Sequence, residues 1–141
     1  MGSFMDCGET GYLQLLEQLT KVGTISEEEF TRRLEHVQNA GDSYKFAVIE
    51  DLDKKQIVAT GTVLIELKFV RNCGKVGHIE DVVVHQSTRG QHLGQRIVEH
   101  LTKVAKELGC YKVILDCSKD NVPFYEKCGL YQKEIQMAHY F

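Results

Sequence analysis

Apolar positions change their period near residue 44, which splits the chain into a helical start and a strand-rich remainder. In GYLQLLEQLTKVG (11–23), Leu13, Leu16 and Leu19 recur at helical spacing and Gly23 supplies a stop. In TISEEEFTRRLEHVQNAG, Ser26 and Glu29 form a capping box, each able to satisfy an amide left orphaned at the helix start. Phe30, Leu34 and Val37 give that helix its apolar face, and Gly41 ends it. From Tyr44 the period falls to two. YKFAVIE predicts a strand, DLDKK a turn, and QIVATGTVLIELKFV a long strand with Ile57, Ala59, Val63, Ile65, Leu67 and Phe69 on one face. RNCGKVG predicts a polar turn and HIEDVVV (78–84) another strand. Connections this short cannot cross over, so the three strands form an antiparallel meander.

The helical period returns after HQSTRGQHLGQRI (85–97). A helix is predicted over 91–108, with Leu93, Ile97, Leu101, Val104, Ala105 and Leu108 as its buried stripe. CYKVILDC (110–117) predicts a strand whose apolar centre implies cover on both faces. Strand, helix and strand make one right-handed crossover, so 78–84 and 110–117 run parallel. DNVPFYEKCG predicts a short helix with Pro123 in its first turn and Gly129 past its end, and LYQKEIQMAHYF a last strand. The predicted order ααβββαβαβ is a single α+β domain over residues 1–141 with a mixed, mostly antiparallel sheet. Residues 1–8 are expected to be disordered or foreign to the domain.

Composition narrows the classes. At 141 residues the chain suits one domain with a real core. A net charge of −3 argues against a nucleic-acid partner, which would need a basic face. No apolar run reaches the length of a membrane span, and no signal peptide opens the chain. MGSFMD begins like a myristoylation site, but Asp6 stands where Ser or Thr is needed. Five cysteines (Cys7, Cys73, Cys110, Cys117, Cys128) show neither a C-x-x-C pair nor metal-ligand spacing, so no metal is expected. They are read as buried, reduced thiols of a cytoplasmic protein.

The loop 85–97 carries candidate chemistry. A loop that enters a helix presents unpaired amides and the positive end of the helix dipole. Gly90 and Gly94 permit close approach, and Arg89 adds fixed charge, which suits phosphate or pyrophosphate. A plain strand-to-helix turn with a solvated arginine fits the same residues. No G-x-x-x-x-G-K-[ST] motif is present, and the glycine spacing is wrong for a dinucleotide fingerprint, although Asp116 is suggestively placed.

RGQHLG resembles the [QR]-x-x-G-x-[GA] pyrophosphate loop of the GCN5-related N-acetyltransferase (GNAT) superfamily, with His92 in place of the first motif glycine. GHIEDVVV, GCYKVILDC and NVPFYEKCG, with LTKVGTI and IELKFVRNCGKVGHIED, extend the likeness over roughly residues 12–137. Together they resemble the eukaryotic glucosamine-6-phosphate N-acetyltransferase family, in which the position of His92 is often not glycine. That resemblance implies acetyl transfer from acetyl-CoA to the 2-amino group of glucosamine 6-phosphate in a ternary complex, a step toward UDP-N-acetylglucosamine. It also implies a homodimer with exchanged C-terminal strands.

The resemblance assigns roles residue by residue. Main-chain groups of Val82, Val83 and Val84 would follow the pantetheine. Arg89, Gly90, Gln91, His92, Leu93, Gly94 and Gln95 would hold the pyrophosphate, and Asn121 would also touch CoA. Tyr125 would serve both in CoA binding and as the acid that protonates the leaving thiolate. Glu80 and Asp81 would contact the sugar and help take the amine proton. As neighbours on a strand they are expected on opposite faces unless a bulge intervenes. Thr20 and Asp116 would also bind the sugar, and Lys68, Phe69, Val70 and Arg71, beside Lys75, its phosphate. An ordinary buried strand, a core aromatic pair and a basic turn account for the same residues without chemistry. Two departures stand out: no Arg-bearing first strand precedes Tyr12, and His139 and Tyr140 lie where the family has a C-terminal arginine. A GNAT acting on a protein lysine, an N-terminus or a polyamine, or a non-catalytic CoA-binding module, are the competing readings.

Overall fold

The computed structural model describes residues 11–141. Expectations for residues 1–8, for Cys7 and for a first strand therefore lie outside the described residues. Helix α1 (Tyr12–Glu17) is followed by α2 (Glu27–Asn39), strands β1 (Tyr44–Asp51) and β2 (Gln56–Leu67), and a single turn, α3 (Val70–Cys73). Then come β3 (Lys75–Val84), α4 (Leu93–Glu107), β4 (Cys110–Ile114) and α5 (Val122–Lys127). The sheet order is β1-β2-β3-β4, with the first two pairings antiparallel and the last parallel. This is the mixed α+β sheet the sequence predicts, with α4 as the crossover.

The capping box forms: the Glu29 amide donates to Ser26 Oγ at 3.1 Å and the Ser26 amide to Glu29 Oε2 at 2.8 Å. Hydrogen bonding from Ser26 also holds the Glu29 carboxyl below its usual range. Helix α1 is shorter than expected and ends at Glu17, well before Gly23. It anchors through buried Leu15, which packs with Ile57 and Val83. Helix α2 buries no residue fully; its contact with α1 is an edge-on pairing of Phe30 with Tyr12, 6.3 Å between centroids.

The main core lies between the sheet and α4. Ile97, Val98, Leu101 and Ala105 pack on Ala59, Val63, Ile65 and Ile79. Small residues let the helix approach closely. A Cβ at Gly61 would lie 2.7 Å from Ile97 Cγ2 and 3.0 Å from Leu101 Cδ1, and one at Gly77 3.0 Å from Ala105 Cβ.

Several expectations are corrected. The face of β2 is not continuous: Ile57 packs with α1, while Leu67 and Phe69 are 75% and 94% exposed, because the helix ends short of them. The register skip between Ile49 and Glu50, opposite Ala59 and Ile57, breaks the alternation. Strand β3 begins at Lys75, so KVG belongs to the strand and not to the turn. Strand β4 ends at Ile114 and is covered on one face only, since Tyr111 and Ile114 are exposed. LYQKEIQMAHYF forms no strand within the protomer, and Tyr131, Ile135, Met137, Tyr140 and Phe141 lie open to solvent. Its alternation fits a strand, but no sheet edge of the protomer pairs with it. The four described cysteines are free, yet Cys73 and Cys117 are exposed and not buried.

Gly61→Ala should destabilise the fold by about 1–3 kcal/mol, as overpacking does, because the added methyl must displace α4. Urea unfolding of the two proteins measures it, and a change below about 0.5 kcal/mol would mean that the helix yields freely.

Candidate active site

Strands β3 and β4 pair from Lys75 to His78 only, yet β3 runs on to Val84. Beyond the His78–Ile114 pair the two parallel strands part. A wedge opens there, and the β3 edge from Ile79 to Val84 has no β4 partner among the described residues. Open sheets bind ligands at such carboxyl ends, where main-chain donors and acceptors are left over.

At the mouth of the wedge, β3 carries a bulge. Thr62 faces Glu80 and Thr60 faces Val83, so Asp81 and Val82 together oppose Gly61. Asp81 takes up the extra residue in a left-handed conformation, φ 51°. The bulge changes which face each side chain occupies. Before it, Gly77 and Ile79 meet α4; after it, Val82 and Val84 do, while Val83 turns to α1. Glu80 and Asp81 are both exposed and close enough to influence one another. The expectation of opposite faces is thus replaced by its stated exception: a bulge intervenes.

Asp116 completes an acidic group. Asp116 follows two residues after the end of β4 and lies close enough to Glu80 for its charge to act there. The Glu80 carboxyl is pushed up, first by partial burial and then by the charges of Asp116 and Asp81; His78 opposes the rise. Asp116 Oδ2 also accepts from Gln136 Nε2 at 3.0 Å. Tyr12, on α1, comes to the same place. Its hydroxyl is pushed above the usual range by burial and by Asp81, and a hydrogen bond with Thr60 offsets part of this. The sequence reading did not single out Tyr12, because one aromatic at the head of a helix carries no signal of what lies across from it.

Helix α5 lies beyond the wedge. Asn121 precedes it, Pro123 sits in its first turn, and Gly129 follows it with φ 91°, all as expected. Phe124 and Tyr125 pack edge-on, centroids 4.9 Å apart, against the main core. Phe124 closes over the start of α4: a Cβ on Gly94 would stand 3.1 Å from its Cζ and 3.3 Å from Val84 Cγ2. The Tyr125 hydroxyl is pushed up by burial, then by Cys117 and Cys128.

The glycine-punctuated loop joins β3 to α4. The His85 amide donates to the Val58 carbonyl at 2.7 Å, the Gln86 amide to Gln18 Oε1 at 3.0 Å, and the Ser87 amide to His85 Nδ1 at 3.1 Å. Gly90 has φ 88° with open space around it. His92 takes a left-handed conformation, φ 59°, at the position before α4. The first amides of α4 have no acceptor within the helix and point out of its start. A helix start next to an unpaired strand edge fits a ligand with an amide-rich arm and a diphosphate, as CoA has.

The basic residues lie elsewhere. Leu67 pairs with Lys75, so Lys68 to Arg71 sit at the opposite end of β3 from the bulge. From Lys75 to Asp81 at about 3.3 Å per residue is roughly 20 Å. There Arg71 lies over the Tyr111 ring at 5.4 Å, Lys68 Nζ reaches Glu66 at 3.4 Å, and Lys75 Nζ donates to the Leu108 carbonyl at 3.1 Å. Lys75 thereby caps the C-terminal end of α4. The turn holding Arg71 is left-handed through Arg71, Asn72 and Cys73, with φ 57°, 58° and 57°. Thr20, after α1, is exposed. The acids thus meet where β3 and β4 part, and Phe124 of α5 meets the start of α4 at Gly94, whereas Lys68, Phe69, Val70 and Arg71 of the same chain lie at the other end of β3.

Comparison with known proteins agrees with this architecture. The family model described as "Acetyltransferase (GNAT) family" matches residues 12–130. The chain is 54% identical over 131 residues to the glucosamine 6-phosphate N-acetyltransferase of Arabidopsis thaliana, which covers 93% of this chain and 88% of that one. It is 48% identical over 127 residues to the protein of that name from Candida albicans, covering 90% and 85% of the two chains. The crystal structure of the Arabidopsis enzyme superposes with a TM-score of 0.92 at 54% identity, over 94% of this chain and 90% of that one. A Trypanosoma brucei acetyltransferase does so with a TM-score of 0.88 at 36% identity, over 94% and 92%. With the family model matched over residues 12–130 and a relative 54% identical over most of both chains, this chain belongs to the acetyltransferase (GNAT) family.

Proposed function

We propose that the protein transfers the acetyl group of acetyl-CoA to the 2-amino group of glucosamine 6-phosphate. The observation that carries this reading is the parting of β3 from β4 beside three carboxylates, with Tyr125 packed on the core beside Phe124. The names of relatives at 54% and 48% identity point to the same acceptor. Main-chain groups of Val82, Val83 and Val84 hold the pantetheine arm, amides from Arg89 to Gln95 hold the pyrophosphate, and Asn121 adds a contact. Glu80, Asp81 and Asp116 receive the sugar amine, which arrives as an ammonium, and Thr20 adds a sugar contact. Once a carboxylate or a water beside it has taken the proton, the nitrogen lone pair attacks the thioester carbonyl. The N–C bond forms, the C–S bond breaks, and the thiolate takes its proton from the Tyr125 hydroxyl, which regains one through water from the nitrogen as that nitrogen becomes an amide. No metal is required in this scheme.

The reading includes a homodimer. The basic residues lie roughly 20 Å along the sheet from the acids, so a protomer cannot bring its own Arg71 to the phosphate of a sugar held at its wedge. A second copy supplies Lys68 and Arg71 to that phosphate, docked on the open face of β4 and the exposed apolar tail. The enzyme then works in the cytoplasm as a dimer with shared sites.

Release of CoA thiol should occur with glucosamine 6-phosphate and fall at least about 100-fold with unphosphorylated glucosamine or a lysine peptide. Faster release with the peptide would discard the sugar-phosphate reading. Tyr125→Phe should lower kcat by about 100-fold or more, the scale of a lost general acid, with little change in the KM for acetyl-CoA. Because burial raises the Tyr125 pKa, the hydroxyl stays protonated as pH rises. Loss of this acid should therefore not limit the wild-type rate below about pH 10.

Arg71→Ala should raise the KM for the sugar phosphate about tenfold or more and leave that for acetyl-CoA unchanged. Co-refolding Arg71→Ala with Tyr125→Phe should restore activity to some sites, since one site of the mixed dimer keeps both residues intact. No recovery would show that each phosphate site is built from one chain. His92→Gly, which relieves the left-handed backbone, should stabilise the protein by up to about 1 kcal/mol and keep the KM for acetyl-CoA, as thermal unfolding and initial rates would show.

A further inference from the structure

A pair on the sheet face away from α4 is used by none of these roles. His78 Nε2 lies 2.9 Å from Glu66 Oε1 across the β2–β3 pairing, and Glu66 Oε2 lies 3.4 Å from Lys68 Nζ. Both side chains of the first pair are partly buried. His78 stands two residues before Glu80 on one strand, hence on the same face. It is also the last residue of β3 that pairs with β4, opposite Ile114, so it sits at the root of the wedge. The charged groups around it are Glu66 on β2 and Lys68 just past its end, Lys112 on β4 and Asp116 two residues past its end, and Glu80 on its own strand. From α1, Tyr12 approaches the far side of Glu80, at Asp81.

Around one gap, the charges of Asp116 and Asp81 disfavour the ionised form of the Glu80 carboxyl. An ammonium substrate needs that carboxyl ionised before it arrives, when its own charge is not yet there to help. Among the groups acting on Glu80, His78 is the one that favours the charged form. Glu66 holds the imidazole in place through Nε2 at 2.9 Å. We propose that His78, held by Glu66, is a positioning residue for the acceptor amine, supplying the positive charge that keeps Glu80 ionised in the empty site. This rests on the reading of Glu80 as an acceptor contact.

The pH dependence of kcat/KM for glucosamine 6-phosphate reports the free enzyme's essential groups. If Glu80 must be ionised, activity falls as pH drops through its pKa. Removing a nearby positive charge raises that pKa, so the acid limb moves to higher pH. His78→Gln keeps a hydrogen bond to Glu66 without the charge and should move the limb up by about half a pH unit or more. His78→Arg keeps the charge and should return it to near the wild-type position. A merely structural cross-strand pair would respond to both changes alike. Should His78→Gln not fold, His78→Asn takes its place, with the thermal midpoint as the check. NMR titration of the Glu80 carboxyl carbon reads the same shift without turnover. An acid limb and a Glu80 titration unmoved in His78→Gln, or moved equally in His78→Arg, overturn the proposal while wild-type activity still supports the acceptor. Absence of wild-type activity with the sugar phosphate removes the acceptor reading and this one together.

Discussion

The structure depends on one change of pairing: β3 leaves β4 after His78 and then, through a bulge against β2, turns its last residues toward α4. Pairing with β4 stops at His78, and the extra residue at Asp81 resets the alternation. Had β3 continued in register, Val82 and Val84 would face away from α4 and leave a gap under its first turn. The left-handed backbone at Asp81 costs of order 1 kcal/mol for a residue with a side chain. Burial of Val82 and Val84 against Ile97 and Gly94 offsets it. The same residue breaks the β2–β3 ladder and brings two carboxylates to one place, three residues past the point where pairing with β4 has ended.

Charge is separated along the sheet in consequence. Acids gather where β3 and β4 part, and basic side chains gather where β2 and β3 meet at the other end. A substrate with an ammonium at one end and a phosphate at the other is complementary to both poles, but it is too short to touch both on one chain. Two copies side by side, each offering one pole to the other, remove that mismatch. The pieces that remain uncovered in the protomer, the outer face of β4 and the tail from Tyr131 to Phe141, are the apolar surfaces such an arrangement would cover.

Much of this was legible in the residues. The Ser26–Glu29 capping box, the short links of the meander and the helical stripe from Leu93 to Leu108 are local signals, and local signals survive folding. So do Pro123 and Gly129 around α5. The bulge was not legible, because a single inserted residue leaves IEDVVV looking like any strand, and only the register opposite Gly61 exposes it. Sequence motifs put Lys68 and Arg71 in one list with Glu80, since a list carries no distance. The expected last strand failed for a different reason. Alternation in LYQKEIQMAHYF shows what a segment can pair as, while pairing itself needs an edge. His78 and Glu66 were invisible as a pair, since they lie twelve positions apart and meet only through register.

The close seat of α4 has a consequence for how this chain can change over time. Gly61 and Gly77 leave no room for a methyl group between helix and sheet, and Ala59 and Ala105 are fully buried in the same layer. A larger residue at any of them lifts the helix, and with it the amides at its start that the proposed reading assigns to the diphosphate. Drift in this layer is therefore confined by function as well as by packing, although none of the four touches a ligand. Helix α2 buries nothing fully and has no such coupling. Sequence divergence among descendants of this gene should accumulate first in α2, and last in four small residues that a survey of ligand contacts would pass over.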